Sequence, residues 1–196
     1  MSYYFTNDPG KKPNRKIITF RFLGTEETFV SDDGVFSKST LDFGSRVLLE
    51  TVNGLPLHGK VLDLGCGLGY IGILLKKYRP QLDLTMADVN ETAVQLAQEN
   101  SARYHQENRV LVSDGFEKID DEFDSIVCNP PIRTGKQNVY RLLTDSLKHL
   151  SGDGILFIVM RRQQGAESAV NYLNTIASAE VIRKEKGYWI IRAENR

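Results

Sequence analysis

The chain has 196 residues, 25 Lys+Arg against 25 Asp+Glu, and 41% hydrophobic and 26% charged residues. That length and balance describe one ordinary domain able to bury a core, and they argue against a charged tail protein or one that grips nucleic acid by bulk charge alone. Cys66 and Cys128 stand far apart, and His58, His105 and His149 form no His-x-His or His-Glu-x-x-His pair; this argues against a disulfide scaffold or a metal site and for a reducing cytosol.

Met1 to Asn14 is polar and lacks the apolar stretch of a secretory signal. Ile17–Leu23 and Glu26–Val30 flank Gly24-Thr25 and predict a β-hairpin. A loop at Gly34-Val35-Phe36-Ser37 and a short helix around Gly44–Thr51 follow. No Gly/Ser or Pro/Ser linker divides the chain, so residues 1–53 read as an extension packed on a main domain of residues 54–196. In that domain Lys60–Leu64, Asp83–Ala87, Arg109–Val112, Ser125–Cys128, Ile155–Met160, Glu180–Arg183 and Tyr188–Arg192 read as strands. Tyr70–Tyr78, Glu91–Tyr104, Val139–Leu150 and Glu167–Ala177 read as helices between them, the second with Asn90 as N-cap. The alternation predicts an α/β fold with a mostly parallel seven-stranded sheet covered on both faces. Lys184–Gly187 is too short for a crossover, so the last two strands should form an antiparallel hairpin. The longest apolar run, Ile155–Met160, is far too short to span a bilayer, and no membrane partner is expected.

Asp63-Leu64-Gly65-Cys66-Gly67-Leu68-Gly69 lies between the first sheet strand and its helix. Glycines let backbone turn tightly and approach a ligand, and the helix N-terminus beyond offers free N–H groups. Such a loop suits a nucleotide-like ligand over the strand ends. Gly67-Leu68-Gly69-Tyr70-Ile71-Gly72 also matches a dinucleotide fingerprint, which alone is weak. Asp88, at the end of the second strand, can meet ribose hydroxyls, which both NAD and S-adenosylmethionine carry. Asp63 separates the two ligands. Its carboxylate would repel a pyrophosphate and attract the ammonium and sulfonium of S-adenosylmethionine.

After the fourth strand stands Asn129-Pro130-Pro131-Ile132. Two prolines stiffen this loop at the sheet's carboxyl edge. An exocyclic amine has a delocalised lone pair and is a poor nucleophile. The Asn129 side-chain oxygen and the Pro130 carbonyl can each accept one of its N–H groups and aim its lone pair at a methyl group. No strong base is needed, because the amine becomes acidic only as the methyl transfers.

The glycine loop resembles motif I of class I methyltransferases, and Asn129-Pro130-Pro131 resembles the motif of those that modify planar amino nitrogens. With Tyr3-Tyr4-Phe5, Asp33-Gly34-Val35-Phe36-Ser37, Leu41-Asp42-Phe43-Gly44-Ser45-Arg46, Ala87-Asp88-Val89-Asn90, Ser113-Asp114-Gly115-Phe116, Gln164-Gly165-Ala166 and Lys184–Tyr188, nearly the whole chain is similar to small-domain methyltransferases related to the bacterial 16S ribosomal RNA guanine-N2 enzymes. The resemblance implies a Rossmann-like fold and S-adenosylmethionine as cofactor. It implies cofactor contacts at Asp63, Gly65, Cys66, Gly67, Gly69, Asp88, Val89, Asn90, Asp114, Gly115 and Asn129, with Val89 on the adenine face. It also implies a catalytic loop of Asn129, Pro130, Pro131 and Ile132, and ribosomal RNA or the small ribosomal subunit as partner. The best-known enzymes of this group carry two tandem domains, whereas this chain has one. Relatives often have an aromatic where Ile132 stands, and Phe36 is the substitute candidate for stacking on the target base.

Lys11, Lys12, Arg15, Lys16, Arg133, Lys136, Arg141, Arg161 and Arg162 are candidate phosphate contacts as a set. Arg46 could pair with a carboxylate or reach RNA. Cys66 and Cys128 read as small apolar fillers, not nucleophiles. Three other functions compete with guanine-N2 methylation. One is methylation of a protein glutamine amide or of adenine N6. Another is a non-catalytic RNA-binding module with a vestigial cofactor pocket. The weakest is a nicotinamide oxidoreductase, since Asn129-Pro130-Pro131 has no role in hydride transfer.

Overall fold

A computed structural model describes residues 14–32 and 40–196. Tyr3-Tyr4-Phe5, Lys11, Lys12, residues 33–37 and with them Phe36 lie outside the described residues.

The chain opens on an antiparallel hairpin, β1 (Lys16–Phe22) and β2 (Thr25–Ser31). Leu23 and Gly24, both at positive φ (46° and 81°), make its two-residue turn, the geometry whose twist matches that of the flanking strands. Helix α1 (Phe43–Asn53) follows, its first turn capped by Asp42, which accepts from Ser45 N at 3.1 Å. Then come β3 (Lys60–Leu64), α2 (Tyr70–Tyr78), β4 (Asp83–Asp88), α3 (Glu91–Arg103), β5 (Arg109–Val112), β6 (Phe123–Cys128), α4 (Lys136–Lys148), β7 (Leu150–Arg161), α5 (Ala166–Ile176), β8 (Ser178–Glu185) and β9 (Tyr188–Glu194). The seven-stranded sheet runs β5-β4-β3-β6-β7-β9-β8. It is parallel from β5 to β7 and antiparallel at β7/β9 and β9/β8, as the short final connection requires.

Alternating side chains of the central strands feed two cores. Val61, Leu84, Val127 and Phe157 face α1, α2 and α3, whereas Leu62, Ile126, Leu156 and Ile158 face α4 and α5. The hairpin belongs to the first core. Phe29 packs against the rings of Tyr70 (4.8 Å) and Tyr104 (5.1 Å), and Phe22 against Tyr78 (5.9 Å). Glu27, also on this face and 1% exposed, is met by Lys77 Nζ (2.7 and 2.8 Å), Tyr104 Oη (2.7 Å) and Tyr78 Oη (3.2 Å), which is how a carboxylate is tolerated in a core. Among the described residues, no helix is long and apolar enough to cross a membrane.

Several boundaries differ from the sequence reading, the largest at α4 and β7. Helix α4 begins at Lys136, three residues before the apolar positions that mark it in sequence, because its polar first turn faces solvent. Leu150 opens strand β7 instead of closing that helix: His149 caps it, and the Phe123 N–H donates to the His149 carbonyl at 2.9 Å, drawing the chain into the sheet.

Candidate active site

The parallel strands β4, β3, β6 and β7 end side by side, and ligands of open α/β sheets bind at that edge. The structure brings the predicted segments together there: the glycine loop beyond β3, Asp88 at the end of β4, Asp114 and Gly115 beyond β5, and Asn129-Pro130-Pro131 beyond β6.

Gly65, Gly67 and Gly69 all adopt positive φ (72°, 56° and 89°), a region that residues with a Cβ enter at a cost. At Gly65 and Gly67 a Cβ would meet nothing within 4 Å, so the loop presents bare backbone to open space. Gly69 has a packing reason as well: a Cβ there would lie 2.7 Å from Ile73 Cδ1. The loop is fastened from beneath by Gly65 N (2.8 Å) and Cys66 N (3.0 Å), which both donate to the Ala87 carbonyl of β4.

Asp88 holds the loop to the next turn. Its Oδ2 accepts from Gly67 N (2.8 Å) and its Oδ1 from Asn90 N (2.9 Å). Burial nonetheless pushes its carboxyl above the usual range, against the pull of those N–H groups. Asn90 spends its side-chain oxygen capping α3, accepting from Thr92 N (2.9 Å) and Ala93 N (3.2 Å). Val89, between them, stays 37% exposed on the ligand side.

Asp63 sits deeper than the sequence suggests. It is 1% exposed, and its Oδ2 accepts from Gly72 N in the first turn of α2 at 2.8 Å. Burial pushes its carboxyl up to about 7; the Gly72 N–H counteracts this, and the neighbouring Asp88 charge adds to it. Among the described residues neither Asp63 nor Asp88 has a cationic partner. Burial, and the two carboxylates, also push the Cys66 and Cys128 thiols up, so both stay protonated and unreactive.

On the other side of the edge, Asn129 Nδ2 donates to Ser45 Oγ at 2.9 Å, a contact across 84 positions of sequence. Its Oδ1 carries no hydrogen bond from any described residue. The Pro131 carbonyl is taken by Thr134, through N (3.0 Å) and Oγ1 (2.7 Å). The Pro130 carbonyl receives no donor among the described residues. Ile132, read as part of the catalytic loop, starts a single 3₁₀ turn (Ile132–Thr134) and packs, half-buried, on the core beneath α4.

Asp114 is exposed, with Arg141 3.8 Å away, and a cavity of about 120 Å³ opens between that pair, Gly115 and Leu142. A larger hollow, about 470 Å³, lies by Glu27, Lys77 and Arg103, away from this edge. Several cations proposed for phosphate are engaged elsewhere. Arg15 faces Asp32 and Glu99, each at 3.7 Å. Arg46 faces Glu50 at 3.6 Å and bonds the Arg21 carbonyl, which resolves its two readings toward the carboxylate.

Two residues that sequence reasoning passed over organise the site. Ser45 is one. Asn100, fully buried, is the other: its Oδ1 accepts from Val30 N (2.7 Å) while its Nδ2 donates to the carbonyls of Val30 and Leu68 (both 3.0 Å). It thereby ties the hairpin to the glycine loop. Neither pairing has a local sequence signal, since the partners lie 84, 70 and 32 positions apart.

Comparison with known proteins agrees with this architecture. The family model of the methyltransferase small domain matches residues 26–192. An uncharacterized protein of Bacillus subtilis, YbxB, is 40% identical over 196 residues, covering 98% of each chain. Ribosomal RNA small subunit methyltransferase C of Pasteurella multocida is 42% identical over 130 residues, which span 64% of this chain and 39% of that protein. A 16S rRNA N2 methyltransferase of T. thermophilus, solved with AdoMet and guanosine, superposes with a TM-score of 0.81 at 24% identity, over 93% of this chain and 51% of that one. The chain thus spans about half, or less, of the ribosomal RNA methyltransferases it matches.

Proposed function

The chain belongs to the methyltransferase small domain family, and from that premise we propose that it methylates the N2 amino group of a guanine in small-subunit ribosomal RNA. Its cofactor is S-adenosylmethionine, which when bound supplies an electrophilic methyl group on a cationic sulfur.

The residues at the edge suit that cofactor. Gly65 and Gly67 turn bare backbone toward open space. Asp63 and Asp88 form a buried acidic pair with no protein cation among the described residues. Two carboxyls whose ionisation burial opposes are more easily charged beside a cation, so the pair would welcome an ammonium and a sulfonium and disfavour a pyrophosphate. Asp88 keeps lone-pair capacity beyond its backbone bonds for ribose hydroxyls. Val89 offers an apolar surface for adenine, and Asp114 and Gly115 line a small cavity beyond β5.

One observation supports the acceptor chemistry: Asn129 is held through its Nδ2, which leaves Oδ1 without a donor among the described residues. Oδ1 and the Pro130 carbonyl are two acceptors on one stiff loop, matching the two N–H groups of an exocyclic amine. Both bonds strengthen as the nitrogen gains positive charge in the transition state, so they favour transfer over mere binding. The proton leaves a nitrogen already made acidic, and no protein base has to be charged. Guanine N2 is favoured over adenine N6 and protein amides by the ribosomal RNA methyltransferases among the relatives.

The test is to incubate the protein with methyl-labelled cofactor, bacterial small subunits and their free 16S rRNA, and then separate RNA from protein. Label should enter RNA. Label found only in protein would move the acceptor to a side-chain amide.

A further inference from the structure

Beyond Asn129 the same sheet edge carries cations of a different kind. Arg161 ends β7 and stands opposite Tyr188 in register, and Lys184 stands opposite Trp189. Lys186 occupies the turn between β8 and β9. Strand β7 is parallel to β6, so this tip and Asn129 rise from one edge. All three cations are exposed, and each lies over a ring: Arg161 over Tyr188 (4.6 Å) and Lys186 over Phe43 (4.9 Å) on the α1 side of the tip, and Lys184 over Trp189 (4.3 Å) on its other side.

The tip is coupled to the catalytic loop by contact. Tyr188 packs on Phe43 with ring centroids 5.6 Å apart. It also covers Gly44, where a Cβ would come within 2.7 Å of the ring. The next residue, Ser45, holds Asn129.

The charges here are not cancelled. Elsewhere Lys77 is matched by Glu27, Arg183 by Glu50 and Glu185, and Arg192 by Glu180 and Glu194. Among the described residues no carboxylate pairs with Arg161, Lys184 or Lys186. Glu185, the neighbour of both lysines in sequence, is already held by Arg183. The tip of this edge therefore carries three cations that no described carboxylate offsets, in a chain of zero net charge.

The turn itself points the same way. Lys186 and Gly187 both have positive φ (45° and 82°). Asn or Gly fills the first position of such a turn with less strain than a long side chain. A lysine there is a poor choice for folding and a good one for projecting charge.

We propose that this lip is the surface on which substrate RNA docks. Arg161, Lys184 and Lys186 take phosphates of a single-stranded segment flanking the target nucleotide, and Phe43 and Tyr188 give its bases an apolar floor beside Asn129. Cations interleaved with rings match a strand whose phosphates and base faces alternate. The target base must leave any stack to reach Asn129, so its flanks must be held apart from it. The inference rests on the reading of the substrate as ribosomal RNA.

The test is fluorescence anisotropy of a labelled single-stranded fragment of 16S rRNA over a salt series. Lys186→Asn should bind more weakly, and its slope of log affinity against log salt should fall by about 0.7, the share of one phosphate on a single strand. Its melting temperature should hold or rise, since Asn suits the turn, which a structural role for Lys186 would not give. Arg161→Gln, Lys184→Gln and Lys186→Asn together should flatten the slope by about 2 and weaken binding roughly tenfold or more at low salt. Cofactor affinity by calorimetry should stay at the wild-type value. Wild-type affinity and slope in both variants would overturn the docking surface while leaving the RNA substrate in place. A wild-type protein that neither binds nor methylates RNA would remove the substrate reading, and the surface with it.

Discussion

The two halves of the active edge are built on opposite plans. On the half assigned to the cofactor the inner polar groups are closed upon the protein: Asp88 on Gly67 and Asn90, Asp63 on Gly72, and Asn90 on its own helix. On the acceptor half the key group is left open. Asn129 is fastened at one end to Ser45, and its oxygen accepts from no described residue. The cofactor half is made of neighbours in sequence, turning tightly over two strand ends. The acceptor half is assembled from a helix and a loop far apart in the chain. A preformed cradle suits a cofactor that is the same in every turnover, and an open acceptor suits a group that must be gripped harder in the transition state than before it.

The largest effect tests the cofactor half. The Asp63 carboxyl is raised from 3.8 to about 7, chiefly by burial. Folding therefore favours its protonated form, and the ligand-free protein should lose stability as pH rises from about 4 to 7, by about 3–4 kcal/mol in all. Asp63→Asn should flatten that profile in thermal melts. Because the cofactor is cationic, its affinity should instead strengthen over the upper part of the same range, and the Asn variant should weaken that dependence, leaving the share of Asp88.

The acceptor half answers to Asn129→Ala. It should lower kcat by roughly 10²–10³-fold, about 3–4 kcal/mol, the scale of one preorganised transition-state hydrogen bond. Cofactor affinity should barely change, because Asp63, Asp88 and the glycine loop are untouched. If Asn129 served only to cap the Pro-Pro turn, stability, cofactor binding and activity would fall together.

Asp88→Ala should do the reverse of Asn129→Ala, weakening cofactor binding by roughly 1–3 kcal/mol, read by calorimetry. The smallest effect belongs to the link between helix α1 and the acceptor loop. Ser45→Ala removes one neutral hydrogen bond, so kcat should drop about fivefold, near 1 kcal/mol, with Ser45→Thr recovering part of it. Equal losses in Asn129→Ala and Ser45→Ala would show that the two act as one unit and would sharpen the division between the halves.

The same contrast explains what was legible in the sequence. Asp63–Gly69, Asp88 and Asn90 are local devices, a glycine turn and a cap, and local rules find them. The prolines after Asn129 mark its loop equally well. What sequence could not give is which way the groups face. Asp63 turns inward to the first turn of α2, where a loop carboxylate was expected to face ligand. Ile132 joins the core because the 3₁₀ turn rotates it there. Asn100 and Ser45 act across tens of residues, through packing that no spacing encodes. The lip at Lys186 rests on cations that no described carboxylate pairs with in space, and a charge count of zero conceals it.

One measurement bears most directly on the claim that this edge methylates a guanine amine. Small subunits and free 16S rRNA would be treated with the protein and methyl-labelled S-adenosylmethionine, the RNA digested to nucleosides, and the labelled nucleoside identified by mass spectrometry. The arrangement around Asn129 predicts N2-methylguanosine, formed by the wild-type protein and nearly absent with Asn129→Ala. Label in N6-methyladenosine, or in a ring nitrogen or ribose oxygen, would contradict it.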